Sequence, residues 1–308
     1  TARDYKPIPD LLELYHINAA VIGKHGGKNK NDKLLASSHR IIDLATYISQ
    51  HEIDLALHKH SVEAARVAWG FGIPSISFID NELMVPQNML VCPLAQVLIA
   101  PLAIEQYVLR NFTPAHVSIL QYDGVSEVAN VYNYRPDQNI LTLLNLTSSR
   151  PIIVIRSEPI LASYQNHESL TDKLVHKIQN EVPDAQIIRI DRAGESNGTK
   201  FPIFDARSLF YFADMVITGG GTMAREAALL GTRAITFFNN PLSVDRFLIN
   251  NNILESYPGK EIFKLNFGIE IKKKRPTKQV PQFEHPFALL EKAEKIATLK
   301  LNFNNGKQ

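Results

Sequence analysis

The stretch ADMVITGGGTMAREAALLGTRAITFF, Ala213–Phe238, decides the fold of this 308-residue chain. Met215–Thr218 is an apolar run of strand length, and an apolar helical segment, Thr222–Leu230, follows three glycines. Gly231 suits the position just beyond a helix C-terminus, and Ala234–Phe238 predicts the next strand. The sequence therefore predicts a strand, a glycine loop, a helix and a second strand.

The glycine loop predicts an anion-binding site. Gly219, Gly220 and Gly221 allow positive φ angles and a close approach of a ligand to the backbone. The helix that follows, with Thr222 as its expected N-cap, offers N–H groups and the positive end of its dipole to a phosphate or diphosphate. Glu226 lies about one turn into this helix. It either complements the dipole as a surface acid or accepts hydrogen bonds from the ribose hydroxyls of a nucleotide.

One alternative for this loop is a dinucleotide fingerprint. The spacing Gly219-x-Gly221-x-x-Ala224 fits it, but the fingerprint expects an acid about 20 residues further on. The next strand ends in Asn239 and Asn240 instead, and the unit lies late in the chain. The dehydrogenase interpretation is therefore the minor alternative.

Composition is that of a soluble globular protein, with 45% hydrophobic and 21% charged residues. A formal net charge of +2 gives no reason to expect nucleic acid as a partner. The one cysteine, Cys92, excludes an intrachain disulfide and a cysteine-based metal cluster. Without a signal peptide or an apolar run of about 18 residues, we expect a cytoplasmic protein. Membrane contact, through the basic run Lys272–Arg275, is at most peripheral.

Strands and helices alternate along the chain, which predicts an α/β fold with doubly wound parallel sheets. We expect an N-terminal Rossmann-like domain at 1–145, a second one at 146–285, and a C-terminal helix and tail at 286–308. Ligands of such sheets bind beyond the carboxyl ends of the strands, so the loops there should surround one cleft. The loops in question are 24–28, 58–61, 80–82, 156–158, 219–222 and 239–240.

The first residues suggest that an N-terminal βα unit is missing. The chain has no initiator Met, and TARDY, residues 1–5, has the pattern of the polar end of a strand. We therefore expect that a first strand and helix are missing from this chain.

The unit ITGGGTMAREAALLGTRAI resembles the donor-site loop of GT-B glycosyltransferases and UDP-N-acetylglucosamine 2-epimerases. With TARDY, the KHGG loop, FIDNE, the Gln87-Asn88 pair and IRSEP, the chain is similar over about residues 1–260 to a prokaryotic family of unknown function in that superfamily. The resemblance implies a GT-B-like fold in which two Rossmann-like domains face a central cleft. It implies a nucleotide sugar as substrate and no cofactor.

By this resemblance, Gly219, Gly220, Gly221 and Thr222 bind the diphosphate, and Glu226 binds the ribose. Arg156 and Glu158 follow the first strand of the second domain, where the epimerases place an Arg that contacts the diphosphate. A salt bridge between domains is the alternative role for Arg156.

Asp80 and Glu82 lie where the epimerases have a catalytic acidic loop. The epimerases' Glu-Ala-Gly-x-Arg stretch is absent, and DNELM, residues 80–84, stands in its place. Half of the acids that elimination and re-addition of the nucleotide would need are therefore not visible.

The expected function is a GT-B-type glycosyltransferase with a nucleotide-diphosphate sugar as donor and a glycan or lipid-linked acceptor. No Asp-x-Asp motif ends a strand, so we expect metal-independent chemistry. The candidates for the catalytic base are Asp80, Glu82 and His25, and His60 is a weaker candidate. Each histidine can instead be a structural loop residue. A UDP-N-acetylglucosamine 2-epimerase and a non-catalytic nucleotide-sugar-binding protein are the alternatives.

Overall fold

The chain forms two compact units, each built around a parallel sheet. The computed structural model describes residues 1–27, 29–157, 170–190, 204–272 and 282–305. Unit 1 comprises Thr1–Ser126 and Glu284–Gln308, and unit 2 comprises Glu127–Phe283. Both sheets are parallel, which confirms the predicted α/β class.

Strands and helices alternate through most of both units. The described strands are β1 (Ala2–Asp4), β2 (Val21–Lys24), β3 (Ala56–Lys59), β4 (Ser75–Phe78), β5 (Val97–Pro101), β6 (Ser118–Tyr122), β7 (Ile152–Arg156), β8 (Gln186–Ile190), β9 (Met215–Thr218), β10 (Ala234–Thr236) and β11 (Glu255–Ser256). The described α-helices are α1 (Ile8–Leu14), α2 (Lys30–Ile48), α3 (Val62–Gly70), α4 (Val85–Val91), α5 (Gln106–Arg110), α6 (Val128–Val131), α7 (Asn139–Leu143), α8 (Leu170–Glu181), α9 (Ala206–Phe212), α10 (Thr222–Leu229), α11 (Ser243–Asn250), α12 (Phe267–Glu270) and α13 (Leu290–Asn305).

Unit 1 holds a four-stranded sheet in the order β3-β4-β5-β6, and β1 and β2 pair separately. Strand β5 reads VLIAP and is buried throughout, because helices cover both faces of a parallel sheet. One face packs Ile76 and Ile99 against Ala293 and Ala297 of α13. The other face packs Leu98 into a cluster with residues of α3, α4 and α5.

Unit 2 holds a five-stranded sheet in the order β11-β10-β9-β7-β8. The run IIVIR forms β7, and its alternate residues Ile153 and Ile155 pack with Ile217 of β9. Leu174 and Ile178 of the amphipathic helix α8 join the same core. The carboxyl ends of all five strands thus lie at one edge of the sheet.

The division into units differs from the predicted domain limits at both ends of unit 2. Residues 127–145 belong to unit 2, because α6 packs on α10 and α7 packs on α9. Helix α13 belongs to unit 1, because Ala293 and Ala297 complete its core. The limits 1–145, 146–285 and 286–308 stay a prediction.

Among the described residues, no helix combines the length and the apolar character needed to cross a bilayer.

Candidate functional site

The strand order in unit 2 creates a switch point between β7 and β9. The chain leaves β7 for β8 on one side and then returns past β7 to β9 on the other side. Ligands of open α/β sheets bind beyond the carboxyl ends of the strands at such a point. Arg156 ends β7 and Thr218 ends β9, and the two residues are partners in register. The loops that follow these strands therefore flank the position where a ligand is expected.

The glycine loop presents backbone rather than side chains at this point. Gly220 and Gly221 have φ angles of +97° and +105°. A Cβ at position 220 would lie 2.8 Å from Cγ of Phe238, whereas a Cβ at position 221 would meet no described atom within 4 Å. Packing thus requires a glycine at 220, while the exposed surface of Gly221 is open to a ligand.

Helix α10 begins directly at this open surface. Its N-cap is Gly221, so the predicted N-cap Thr222 is wrong by one residue, because Thr222 already belongs to the first helical turn. Within the described part of the chain no side chain caps this N-terminus, and the Ala224 N–H donates to the Gly221 carbonyl at 3.2 Å. The first N–H groups and the positive end of the helix dipole therefore face the open side of the loop.

Arg156 lies beside the loop at the end of β7. Its carbonyl accepts a hydrogen bond from the Gly219 N–H at 3.1 Å, which joins the ends of β7 and β9. The N–H of the buried Ser157 donates to the Ile190 carbonyl at 3.5 Å. Glu158 lies outside the described residues, and the binding roles of Arg156 and Glu158 stay predictions.

Glu226 is the fifth residue of the eight-residue helix α10 and faces α6. Nδ2 of the exposed Asn130 donates to Oε1 of Glu226 at 2.7 Å. Burial raises the pKa of the Glu226 carboxyl to about 7, and the negative charges of Glu127 and Asp205 act in the same direction. The Asn130 hydrogen bond and the Arg207 charge oppose the shift. Near neutral pH this carboxyl therefore exists as a mixture of its two protonation states.

The adjacent residue, Arg225, faces the other way into the core of unit 2. Its Nη2 lies 2.9 Å from Oε1 of Glu127, and its Nη1 lies 2.7 Å from Oδ1 of Asp245. Burial alone would lower the pKa of Arg225, but the two carboxylates outweigh this effect and raise it. This buried triad ties α6, α10 and α11 together. Sequence reasoning missed it, and the one available signal was an arginine between the small residues Ala224 and Ala227.

In unit 1, Asp80 lies just beyond the carboxyl end of β4 and has several polar neighbours. Its Oδ2 lies 2.6 Å from Nζ of Lys59, and its Oδ1 lies 3.7 Å from Nδ1 of His60. Burial is the largest single effect and opposes ionisation. The charge and hydrogen bond of Lys59, together with His60 and Ser126, outweigh it, so the pKa of Asp80 lies below its usual value. Asp80 is therefore an anion at neutral pH, as a general base must be.

His60 bridges this group to α4. Its Nε2 lies 2.9 Å from Oδ1 of the fully buried Asn88, whose Nδ2 donates to the Asn81 carbonyl at 2.9 Å. Because this second bond fixes the orientation of the amide, Oδ1 must accept and Nε2 of His60 must carry the proton. The His60 backbone is in the left-handed region, with a φ of +48°. Burial lowers the pKa of His60, against the effects of Asp80 and Asn88.

The remaining predicted catalytic residues, Glu82 and His25, lie in different loops. Glu82 is buried and shares the loop after β4 with Asp80. His25 is exposed beyond β2, where its ring lies 4.3 Å from the ring of Tyr5 and its Nδ1 accepts from the Gly27 N–H at 3.0 Å. In the neutral ring the proton is then on Nε2, so the outward nitrogen is a donor. The structure thus places Asp80 and Glu82 in one loop, and their catalytic roles stay predictions.

Across residues 1–27, 29–157, 170–190, 204–272 and 282–305, no group of three or more His, Cys, Asp or Glu residues is arranged to hold a metal ion.

Sequence comparison identifies the family of this chain. A family described as "Protein of unknown function (DUF354)" matches residues 1–297. An uncharacterized protein of Methanocaldococcus jannaschii is 34% identical over 266 residues, which is 82% of this chain and 77% of that protein. The predicted resemblance to a family of unknown function is confirmed.

Comparison with solved structures identifies the fold. The UDP-GlcNAc 2-epimerase of Neisseria meningitidis, solved bound to UDP-GlcNAc, has a TM-score of 0.62 at 14% identity, covering 96% of this chain and 88% of that one. Spinosyn forosaminyltransferase has a TM-score of 0.53 at 13% identity, covering 94% of this chain and 89% of that one. At such identities the similarity concerns the fold alone, and it confirms the predicted GT-B-like fold.

Proposed function

We propose that this chain, which belongs to the DUF354 family of proteins of unknown function, is a GT-B-type glycosyltransferase that uses a nucleotide-diphosphate sugar as donor. The observation that carries the proposal is the open backbone of Gly221 at the uncapped N-terminus of α10. It lies at the switch point of a parallel sheet, where such sheets bind their ligands.

The diphosphate and the ribose of the donor each have proposed partners in unit 2. The diphosphate lies on the N–H groups that begin α10, where the helix dipole favours an anion. Arg156, at the end of the neighbouring strand, adds a charge-assisted hydrogen bond. Glu226 accepts hydrogen bonds from the ribose. One structural relative was solved with UDP-GlcNAc bound, which supports a nucleotide sugar as the class of ligand.

The proposed reaction is transfer of the sugar to a hydroxyl of a glycan or lipid-linked acceptor. The helix N-terminus and Arg156 stabilise the negative charge that develops on the departing diphosphate, so this part of the chemistry needs no metal ion. A general base in unit 1 takes the acceptor proton, for which Asp80, Glu82 and His25 are the candidates. Positioned bases of this kind contribute about 10²–10⁴-fold to a rate.

Ligand binding is the first test of the proposal. Thermal unfolding of the full chain would be followed with UDP, ADP, GDP and UDP-GlcNAc, because a ligand that binds the native state raises its apparent stability. We expect selective stabilisation by a nucleoside diphosphate and its sugar conjugate. If none of the four shifts the transition, the proposal fails.

Gly221→Val tests the position of the site. A side chain at this left-handed position would occupy the open surface, so we expect loss of at least about tenfold in affinity, the equivalent of one charge-assisted hydrogen bond. Gly72→Val is the matched control. Gly72 also has a positive φ, +68°, and open space where a Cβ would lie, but it is just beyond the C-terminus of α3 in unit 1. Unchanged binding by the Gly221 variant would contradict the site assignment.

The reaction itself is tested by omitting the acceptor. Incubation with UDP-GlcNAc alone would give a product with an inverted C2 if the chain is an epimerase, and this result would replace the transferase proposal. Binding without turnover under any acceptor condition, and without effect of Asp80→Asn or Glu82→Gln, would indicate a non-catalytic nucleotide-sugar-binding protein.

A further inference from the structure

A chain of polar contacts leads from the amino terminus of α9 to Glu226. Asp205 receives two hydrogen bonds from the Arg207 guanidinium, at 2.9 and 2.7 Å. Arg207 also donates to the backbone carbonyl of Asn130. The ring of Tyr134 lies against the same guanidinium, 4.4 Å from its Cζ. The backbone of Asn130 is thus held in place, and its side chain reaches Oε1 of Glu226.

This group lies at the same edge of the sheet as the glycine loop. The helices that connect parallel strands run antiparallel to those strands. Helix α9, which precedes β9, and helix α10, which follows it, therefore both begin at the carboxyl edge of the sheet. Glu226 follows Gly221 by five residues, which is about 7.5 Å along a helix axis. A nucleotide whose diphosphate lies at Gly221 can therefore extend its ribose along α10 to the Glu226 carboxyl.

We infer that Asn130 is a positioning residue for ribose recognition: it holds Oε1 of Glu226, so that Oε2 accepts a hydrogen bond from the ribose 2′-hydroxyl. This inference rests on the proposed function, since it requires a nucleotide at the glycine loop. Its consequence is a preference for ribonucleoside over 2′-deoxyribonucleoside diphosphates, and Asn130 controls the size of that preference.

The charges around Glu226 explain why it needs such a partner. The groups that face it are Glu127, from the segment that begins α6, and Asp205 and Arg207 from α9. Two of these three are acids, and with burial they favour the protonated carboxyl. The Asn130 hydrogen bond favours the ionised form, which is the better acceptor for a hydroxyl. Without Asn130 the carboxyl would stay protonated to a higher pH.

The test measures binding of paired nucleotides to the full chain by calorimetry. UDP, ADP and GDP identify the preferred base, and the 2′-deoxy form of that nucleotide gives the ratio of affinities. We expect the wild type to prefer the ribose form by about tenfold, as for one hydrogen bond to a charged group. Asn130→Ala should reduce this ratio towards one while leaving affinity for the deoxy form nearly unchanged. It should also move the pH midpoint of ribonucleotide affinity upward.

Controls separate positioning from folding. Asn250→Ala removes an exposed asparagine at the end of α11 in the same unit and should leave the ratio unchanged. Circular dichroism checks that each variant is folded. If Asn130→Ala does not fold, the ratio of affinities is measured for Asn130→Ser instead.

The possible results distinguish the inference from the function on which it rests. If no nucleoside diphosphate binds the wild type, the proposed function and the inference both fail. If a diphosphate binds but the wild type shows no ribose preference, or Asn130→Ala retains it, the inference alone is overturned. A ratio that falls in Asn130→Ala and not in Asn250→Ala supports it.

Discussion

At the residue scale, burial changes the proton affinity of two side chains in opposite directions. It raises the pKa of Glu226 to about 7 and lowers the pKa of His58 to about 4. In both cases the low-polarity surroundings disfavour the charged form, which is the anion of a carboxyl and the cation of an imidazole. The two residues therefore give opposite pH dependences to the units in which they lie.

Glu226 should make unit 2 less stable as the pH rises from about 4.5 to 7. In this interval the folded state holds a proton that the unfolded state has lost, so stability falls with rising pH. Glu226→Gln should remove about 1–2 kcal/mol of this dependence, after allowance for solvent screening. Urea unfolding of both proteins across this interval measures it, with the exposed Glu261→Gln as control. Parallel pH profiles for wild type and Glu226→Gln would contradict the raised pKa.

His58 should destabilise unit 1 as the pH falls from about 6.5 to 4. Its side chain is buried, and neither ring nitrogen has a hydrogen-bond partner among the described residues. The unfolded state binds a proton in this interval that the folded state rejects, so stability falls with falling pH. In His58→Leu the loss of unfolding free energy between pH 6.5 and 4 should be smaller by about 2 kcal/mol than in the wild type. The exposed His39→Leu should show the same loss as the wild type. A His58 variant that loses stability equally at all pH values would count against this account.

The residues of the candidate site differ in how far the sequence could predict them. Three glycines between a strand and a helix predict an open anion site, because few other roles require this pattern. The sequence could not show that Gly220 is required by contact with Phe238, nor that Asn130 contacts Glu226 from 96 positions away. Those facts depend on which helices become neighbours, and no local pattern encodes that.

At the element scale, the buried triad of Glu127, Arg225 and Asp245 connects α6, α10 and α11. Asp245 also accepts a hydrogen bond from the Leu242 N–H at 3.0 Å, and this bond caps the N-terminus of α11. The helix that begins at the glycine loop is therefore fixed on two sides by ion pairs. We expect the loop to keep its conformation only while these pairs are intact.

Arg225→Leu should destabilise unit 2 by about 3–5 kcal/mol, because two buried carboxylates lose their counter-charge. The triple variant Glu127→Gln, Arg225→Leu, Asp245→Asn removes all three charges and should regain a large part of that loss. Urea unfolding of the single and triple variants gives the comparison. If the triple variant is no more stable than the single one, the loss comes from packing rather than from uncompensated charge.

The elements of the glycine-loop unit follow from the sequence, whereas α6 and β11 do not. The segment Thr222–Leu230 predicts α10 to within one residue, and Met215–Thr218 predicts β9 with the bounds that the structure has. Helix α6 has four residues and β11 has two, so neither is long enough to show a period. Their conformation comes from tertiary contacts, as for α6 against α10.

At the scale of the whole molecule, unit 2 is a continuous segment between two parts of unit 1. The chain leaves unit 1 after Ser126 and returns at Glu284. Near these points the Asp123 N–H donates to Oε2 of Glu284 at 3.0 Å, and the Glu284 N–H donates to the Asp123 carbonyl at 2.8 Å. The two ends of unit 2 are therefore close together, as expected for a segment that can fold by itself.

This continuity predicts that a fragment of residues 127–283 folds and binds the same nucleoside diphosphate as the full chain. A fragment of residues 146–283, which begins at the limit predicted from the sequence, lacks Glu127, Asn130 and the buried residues Ile140 and Leu144. Its Arg225 would keep only one of two carboxylates, and apolar surface of α9 would be exposed, so we expect it to unfold or aggregate. Circular dichroism melting and calorimetric titration of both fragments test this. Equal stability and affinity would instead support the boundary at 145/146 and would remove α6 from the nucleotide site.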